Sequence, residues 1–106
     1  MDTKIAGIIE QYKSNLEAMG IHVHRIILHG SQATGNARED SDIDLVVVSD
    51  DLKSMDLWER LTLLGRARKG IPYSMEIDGI TEDECNRARA GSFLADEILA
   101  KGIIAG

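Results

Sequence analysis

The apolar positions Ile5, Ile8, Ile9, Tyr12, Leu16 and Met19 recur at steps of three and four, the period of a helix with one buried stripe, and Gly20 follows as a stop. This spacing predicts a helix over 3–19. From 21 to 29 the period drops toward two and then fills with Ile26-Ile27-Leu28, as in a strand that becomes covered on both faces, and the run ends at Gly30-Ser31. The small polar stretch 32–41, centred on Gly35 and Asn36, reads as a short turn or helix followed by loop, and 43–48 reads as a second strand. Leu52, Met55, Trp58, Leu61 and Leu64 set out another helical stripe that stops near Gly70, with Pro72 forbidding continuation. On this reading Trp58, Leu61 and Leu64 belong to the core.

A third strand is expected over 73–77. Thr81 and Glu84 form a capping-box pattern that opens a helix over 82–89, and Gly91 interrupts it. A last helix runs through Phe93, Leu94, Ile98 and Leu99 to Gly102, leaving Ile103-Ile104 as an edge strand or docking tail. Helices alternating with strands in this order predict an α/β (α+β) domain, a small mixed sheet of three to four strands flanked by helices.

A length of 106 residues suits one domain with one core. The single Cys85 cannot form an internal disulfide framework, which points to a reducing, cytoplasmic setting. Twelve Lys and Arg against 18 Asp and Glu give a net charge of -6, which repels a polyanion, so a nucleic-acid partner is not expected. The longest apolar run, Leu45 to Val48, is far short of a membrane span, and the first residues lack a signal-peptide pattern. Aromatic residues are scarce, which removes most material for base-stacking platforms. Chemistry must come from polar groups.

Asp42, Ile43 and Asp44 open the second strand, and alternation sends both carboxylates to one face and Ile43 to the other. Two like charges at that spacing raise each other's pKa unless a cation neutralises them, and oxygen ligands favour Mg²⁺ or Mn²⁺. The plain alternative is a solvated acidic strand start. Gly30-Ser31 directly follows a buried strand, where glycine admits close backbone approach and serine adds a hydroxyl, together a small phosphate cradle. The plain alternative there is an ordinary strand-ending turn.

Taken together, residues 28–48, LHGSQATGNAREDSDIDLVVV, carry Gly-Ser, ten intervening residues, Asp-x-Asp and an apolar strand. This pattern resembles the minimal nucleotidyltransferase family of the polymerase-beta-like superfamily. The resemblance implies one such domain over 1–106, with Gly30 and Ser31 holding a nucleoside triphosphate and Asp42 and Asp44 holding one or two Mg²⁺ ions. It also implies a third carboxylate from a neighbouring strand, as metal ligand or as base for the acceptor hydroxyl. Glu76, five positions before Thr81, is assigned that role, and Asp78, on the same strand face, is held in reserve.

The activity implied is metal-dependent transfer of NMP, AMP from ATP, to a hydroxyl. The spacing resembles an antitoxin branch whose members adenylylate a Tyr of a small helical HEPN-type partner in a toxin–antitoxin pair. Two other readings stay open: a catalytically silent module that neutralises a partner by covering it, and one subunit of a small-molecule, antibiotic-type nucleotidyltransferase. Oligomeric state is also open. The chain departs from the family where Gln32 and Thr34 stand at positions often occupied by Arg, which lowers positive charge on the phosphate side unless Arg38 substitutes from the loop. Residues 103–106 lack the Tyr often found there.

Other polar groups fit blander roles. Asp40, Asp42, Asp44 and Asp51 fall at EF-hand spacing, but Leu45 stands where the loop needs Gly. His22 and His24 alternate to one side without a third ligand nearby in sequence, and read as a satisfied or exposed edge pair. His29 reads as core filler beside the phosphate turn. Cys85 lacks a catalytic constellation, and Arg66, Arg68 and Lys69 suit a solvated helix end.

Overall fold

A computed structural model describes residues 2–38 and 41–106; Asp40, the first position of the EF-hand spacing, lies outside the described residues. The first helix, α1, spans Thr3–Ala18, with the Asp2 carboxylate accepting from the Lys4 N–H at its start. Gly20 ends it at φ +87°, where the Gly20 and Ile21 N–H groups bond the Glu17 and Leu16 carbonyls at 3.0 and 3.1 Å. This closing turn packs buried Ile21 beside buried Leu16. Ile21 therefore serves the helix end, and strand β1 is Arg25–His29, four residues shorter at its start than the expected 21–29.

The one-turn helix α2 (Ser31–Thr34) leads through the loop to β2 (Ile43–Val48) as predicted. A 3₁₀ turn, Asp50–Leu52, takes Leu52 out of the expected long helix, and α3 spans Leu57–Arg66 behind an Asp56/Glu59 capping box. Strand β3, Met75–Ile80, begins and ends later than the expected 73–77 because it pairs in parallel with β2 along that strand's full length, Ile43 with Met75 through Val48 with Ile80. Thr81 and Glu84 form the predicted capping box, although α4 stops at Glu82–Asn86 rather than at 89. The last helical segment, Leu94–Leu99, is π-helical, and β4 (Ile103–Ile104) adds to β1 as the edge strand. The mixed sheet has the order β3-β2-β1-β4.

Strand alternation divides the core between the two faces. Ile26, Leu28, Ile43, Leu45 and Val47 pack with Ile5, Ile8, Ile9, Tyr12 and Leu16 of α1 and with Leu64 of α3. Ile27, Val46 and Val48 face the π-helical turn, packing with Ile98 and the flanking Leu94 and Leu99. The two long helices are tied at their ends, where the buried Tyr12 hydroxyl donates to the Leu64 carbonyl at 2.7 Å and Asn15 donates to the Ala67 carbonyl at 2.8 Å. These bonds occupy carbonyls that the end of α3 would otherwise leave unpaired.

The expected burial of Trp58 and Leu61 is not what the structure shows: Trp58 is 77% exposed and Leu61 40%, and only Leu64 of that trio is buried. A second stripe, Arg60, Leu64 and Ala67, wins the sheet side of α3. Arg60 fixes this rotation by donating from Nε to the Leu52 and Met55 carbonyls at 3.1 and 3.2 Å and from Nη1 to the Gly79 carbonyl at 3.3 Å. Three main-chain acceptors that one guanidinium can satisfy at once outweigh a simple hydrophobic count.

Candidate active site

The candidate residues lie on the sheet face that carries the π-helical turn. His29, the last residue of β1, is the register partner of Asp44 on β2, and Asp44 is in turn the register partner of Glu76 on β3. Directly paired residues project from the same face, so His29, Asp44 and Glu76 form one row across three strands. Asp42, expected to open the strand, lies one residue before β2 and is exposed, Asp44 is half-buried and Glu76 is exposed. Asp78 lies one pair further along, opposite Val46, where the face turns apolar.

Gly30 and Ser31 follow His29 directly. Gly30 has φ +72°, a conformation that disfavours every residue with a Cβ. A Cβ there would also overlap Asp44 Oδ2 and lie 3.2 Å from Asp44 Cγ. The glycine is therefore needed twice, once for the turn and once for the carboxylate lying against it. Its carbonyl accepts from the Ala33 and Thr34 N–H groups at 3.1 and 3.3 Å, which curls Ser31–Thr34 into its single turn.

Gln32, half-buried, and Thr34, exposed, both bond main-chain carbonyls nearby. Gln32 Nε2 donates to the Ser41 carbonyl at 3.4 Å, and the Thr34 hydroxyl donates to the Gly30 and Ser31 carbonyls at 3.5 and 3.4 Å. Arg38 holds the far end of the loop, its N–H bonded to Ser41 Oγ at 2.7 Å. With Lys4, Gln32, Ser41 and Tyr73 it lines a cleft of about 470 Å³ that none of Asp42, Asp44 and Glu76 lines. The structure thus brings Gly30, Asp44 and Glu76 together and leaves Arg38 in a neighbouring cleft.

Asp42, Asp44 and Glu76 offer the hard oxygen donors that Mg²⁺ takes, and the missing side chain at Gly30 leaves the Asp44 carboxylate uncrowded, so the donor chemistry fits the cation. Among the described residues no group of three His, Cys, Asp or Glu is gathered closely enough to hold an ion. Asp44 and Glu76 are positioned on strands and Asp42 just before one, without being drawn into a preformed cage.

His29 meets the expectation of a packed side chain only in part. It is half-buried, its Nε2 is buried without a hydrogen-bond partner, and its ring meets Phe93 edge-on. Sequence reasoning passed over its place in the row, which alternation from Ile27 could have revealed. His22 and His24 fit the expected satisfied or exposed pair: the His22 imidazole is exposed, 3.8 Å from Asp51, whose carboxylate accepts from the His22 main-chain N–H at 2.6 Å, and His24 lies between Asp50 and Glu82 at 3.8 and 3.5 Å. Cys85 is buried beneath Arg25, whose pKa is raised chiefly by its hydrogen bond to Glu82.

The sequence matches the nucleotidyltransferase domain family over residues 6–103. No curated protein matches it. Among solved structures the fold is similar to that of a candidate nucleotidyltransferase from Sulfolobus solfataricus, with TM-score 0.68 and 17% identity over 95% of this chain and 78% of that one. It is also similar to a toxin–antitoxin crystallised with AMP-PNP, with TM-score 0.62 and 20% identity over 92% of this chain and 72% of that one. A third similar structure is a toxin–antitoxin MntA–HpeT mutant with two aspartate-to-glutamate changes two positions apart, with TM-score 0.58 and 17% identity over 94% and 70% of the respective chains. At these identities the likeness shows a shared fold. Among the described residues no helix is long and apolar enough to cross a membrane.

Proposed function

Because this chain belongs to the nucleotidyltransferase domain family, we propose that it transfers an NMP group, AMP from ATP, to a hydroxyl, with Asp42, Asp44 and Glu76 as its acidic residues and Gly30-Ser31 as its phosphate turn. The observation that carries this reading is the register of Asp44 with Glu76 beside a glycine whose missing Cβ leaves room for the Asp44 carboxylate. In the reaction the acceptor oxygen bonds to the α-phosphorus as the bond to the departing pyrophosphate breaks, and the acceptor proton passes to a base. Glu76 takes that proton. Asp42 and Asp44 are the residues that would hold Mg²⁺ or Mn²⁺ together with Glu76, and such an ion would supply charge neutralisation at the phosphates. Ser31 adds its hydroxyl to the main-chain turn that cradles them.

The acceptor proposed is a tyrosine of a small helical partner of HEPN type. Two neighbours of this fold are toxin–antitoxin structures, one of them holding AMP-PNP, which supports a protein partner and an adenine nucleotide. The test is to mix the chain with its helical partner, ATP and Mg²⁺ and to weigh the partner. A gain of one AMP, lost in the Asp42→Asn/Asp44→Asn variant, is expected; an unchanged partner mass with intact ATP overturns the reading.

Gln32 and Thr34, which put no positive charge beside the phosphate turn and bond main-chain carbonyls instead, favour a second reading, a silent module that neutralises its partner by covering it. It requires the same double variant to keep both partner binding and biological effect. Loss of the effect with binding retained eliminates it.

A further inference from the structure

Phe93 is 67% exposed, yet it sits on a turn closed by hydrogen bonds. The Gly91 N–H donates to Asp96 Oδ2 at 2.9 Å, the Ala95 N–H donates to Ser92 Oγ at 3.1 Å, and the Asp96 N–H donates to the Ser92 carbonyl at 3.0 Å. Immediately beyond it, Leu94, Ile98 and Leu99 pack onto Ile27, Val46 and Val48. The ring is thus held on a braced turn while most of its surface stays in water, an arrangement that forfeits the gain from burying a large apolar group.

What Phe93 touches gives the exposure a direction. Its ring meets His29 edge-on, with centroids 6.5 Å apart and planes at 81°. His29 is covalently joined to Gly30 and stands opposite Asp44, so the ring lies within a nucleoside's reach of the phosphate turn. With Nε2 unpartnered, the imidazole is held by packing rather than by a hydrogen bond from that atom, and Phe93 supplies part of that packing. An exposed ring in a T-shaped contact with one neighbour keeps at least one face for a planar ligand, and stacking on such a face suits any base because every base has a π surface.

We propose that Phe93 is the platform on which the base of the bound nucleoside triphosphate stacks, with His29 as its edge-on brace. The scarcity of aromatic residues argues against an extended stacking surface, and one ring suffices for one base. This inference rests on the nucleotidyl-transfer reading and adds to it the residue that binds the base. Stacking contributes affinity with little preference among bases, so ATP and GTP depend on Phe93 alike.

The test is calorimetric titration of Mg·ATP, Mg·GTP and Mg·tripolyphosphate into the wild-type chain, Phe93→Ala and Phe93→Trp, with thermal melting to establish that the variants fold. Phe93→Ala is expected to weaken both nucleotides about 5- to 100-fold, the range of base stacking on an aromatic ring, and to leave tripolyphosphate within about twofold. Phe93→Trp retains nucleotide affinity and adds a tryptophan signal quenched by ATP but not by tripolyphosphate. Equal ATP affinity in wild type and Phe93→Ala, or an equal loss for tripolyphosphate, overturns the platform while leaving the nucleotide site standing. Absence of nucleotide binding to the wild type overturns the platform and the nucleotidyl-transfer reading together.

Discussion

On one face of the sheet, Ile26, Leu28, Ile43, Leu45 and Val47 are shut away beneath α1 and α3. On the other, Ile27, Val46 and Val48 are covered by the π-helical turn, while His29, Asp44 and Glu76, at the ends of the same strands, remain half-buried or exposed. Strand β2 serves both faces through alternation: Ile43 and Leu45 anchor it in the core, and Asp44 between them is presented to solvent. The acidic residue gains its position from burial on the reverse side and need not itself be buried.

This separation predicts opposite outcomes for neighbouring residues. Leu45→Ala, at a fully buried position, should cost about 2–5 kcal/mol in urea unfolding. Asp44→Asn should move stability by less than about 0.5 kcal/mol and abolish AMP transfer to the partner. Comparable destabilisation by the two substitutions would show that the site and the core are not energetically distinct.

Gly30 is where the two faces are least separable, since its backbone conformation belongs to the fold and its missing side chain accommodates Asp44. Gly30→Ala should cost about 1–3 kcal/mol through positive φ and overlap with the carboxylate. Combining it with Asp44→Ala removes the overlap and leaves the backbone cost, so the double variant should be more stable than the sum of the two single changes predicts. Strict additivity would place the whole cost in the backbone.

Tyr12→Phe tests the covered face alone. Burial pushes the Tyr12 hydroxyl well above its ordinary pKa, outweighing the opposing influence of Arg68, and keeps it protonated as a donor to the Leu64 carbonyl. Its removal should cost about 0.5–1.5 kcal/mol and leave transfer unchanged. A change in transfer would show that α1 influences the site through the sheet.

The same contrast explains what the sequence made legible. Periodicity located α1 because all its buried positions lie on one stripe, and it located β2 because Ile43 to Val48 is apolar apart from Asp44. It placed Leu64 of α3 correctly but misjudged Trp58 and Leu61, because the buried side also carries Arg60, which no count of apolar positions selects and which is held there by hydrogen bonds to distant carbonyls. The strand limits 21–29 and 73–77 missed because strand ends are set by the partner strand. In the site, Asp42, Asp44 and the Gly30 turn were legible as a spaced motif. The alignment of Glu76 with Asp44 depends on the β2/β3 register, and the meeting of His29 with Phe93 depends on how the π-helical turn folds back; neither is a local property of the chain.

The smallest expected effect lies at the opposite end of the sheet from the candidate site, where Glu84 bonds the Thr81 N–H at 2.8 Å and Arg60 Nη1 at 2.6 Å. Burial by itself would raise the Glu84 pKa, but these bonds outweigh it and hold the carboxyl below its ordinary value of 4.5. A depressed pKa means that the ionised form stabilises the fold; the contribution is complete at neutral pH, begins to fall as pH drops below about 4.5 and is lost as pH passes the native value. Glu84→Gln keeps an acceptor for Thr81 and removes the charge facing Arg60. Because Glu84 is 46% exposed, solvent screening limits its cost at pH 7 to about 0.2–1 kcal/mol. In urea titrations the gap between wild type and variant should therefore be widest at neutral pH and close as the solution is made acidic. A gap constant across that range would mean that the Arg60 latch depends on shape alone, and that charge at this end of the sheet contributes as little to the fold as it does at the solvent-facing carboxylates of the other end.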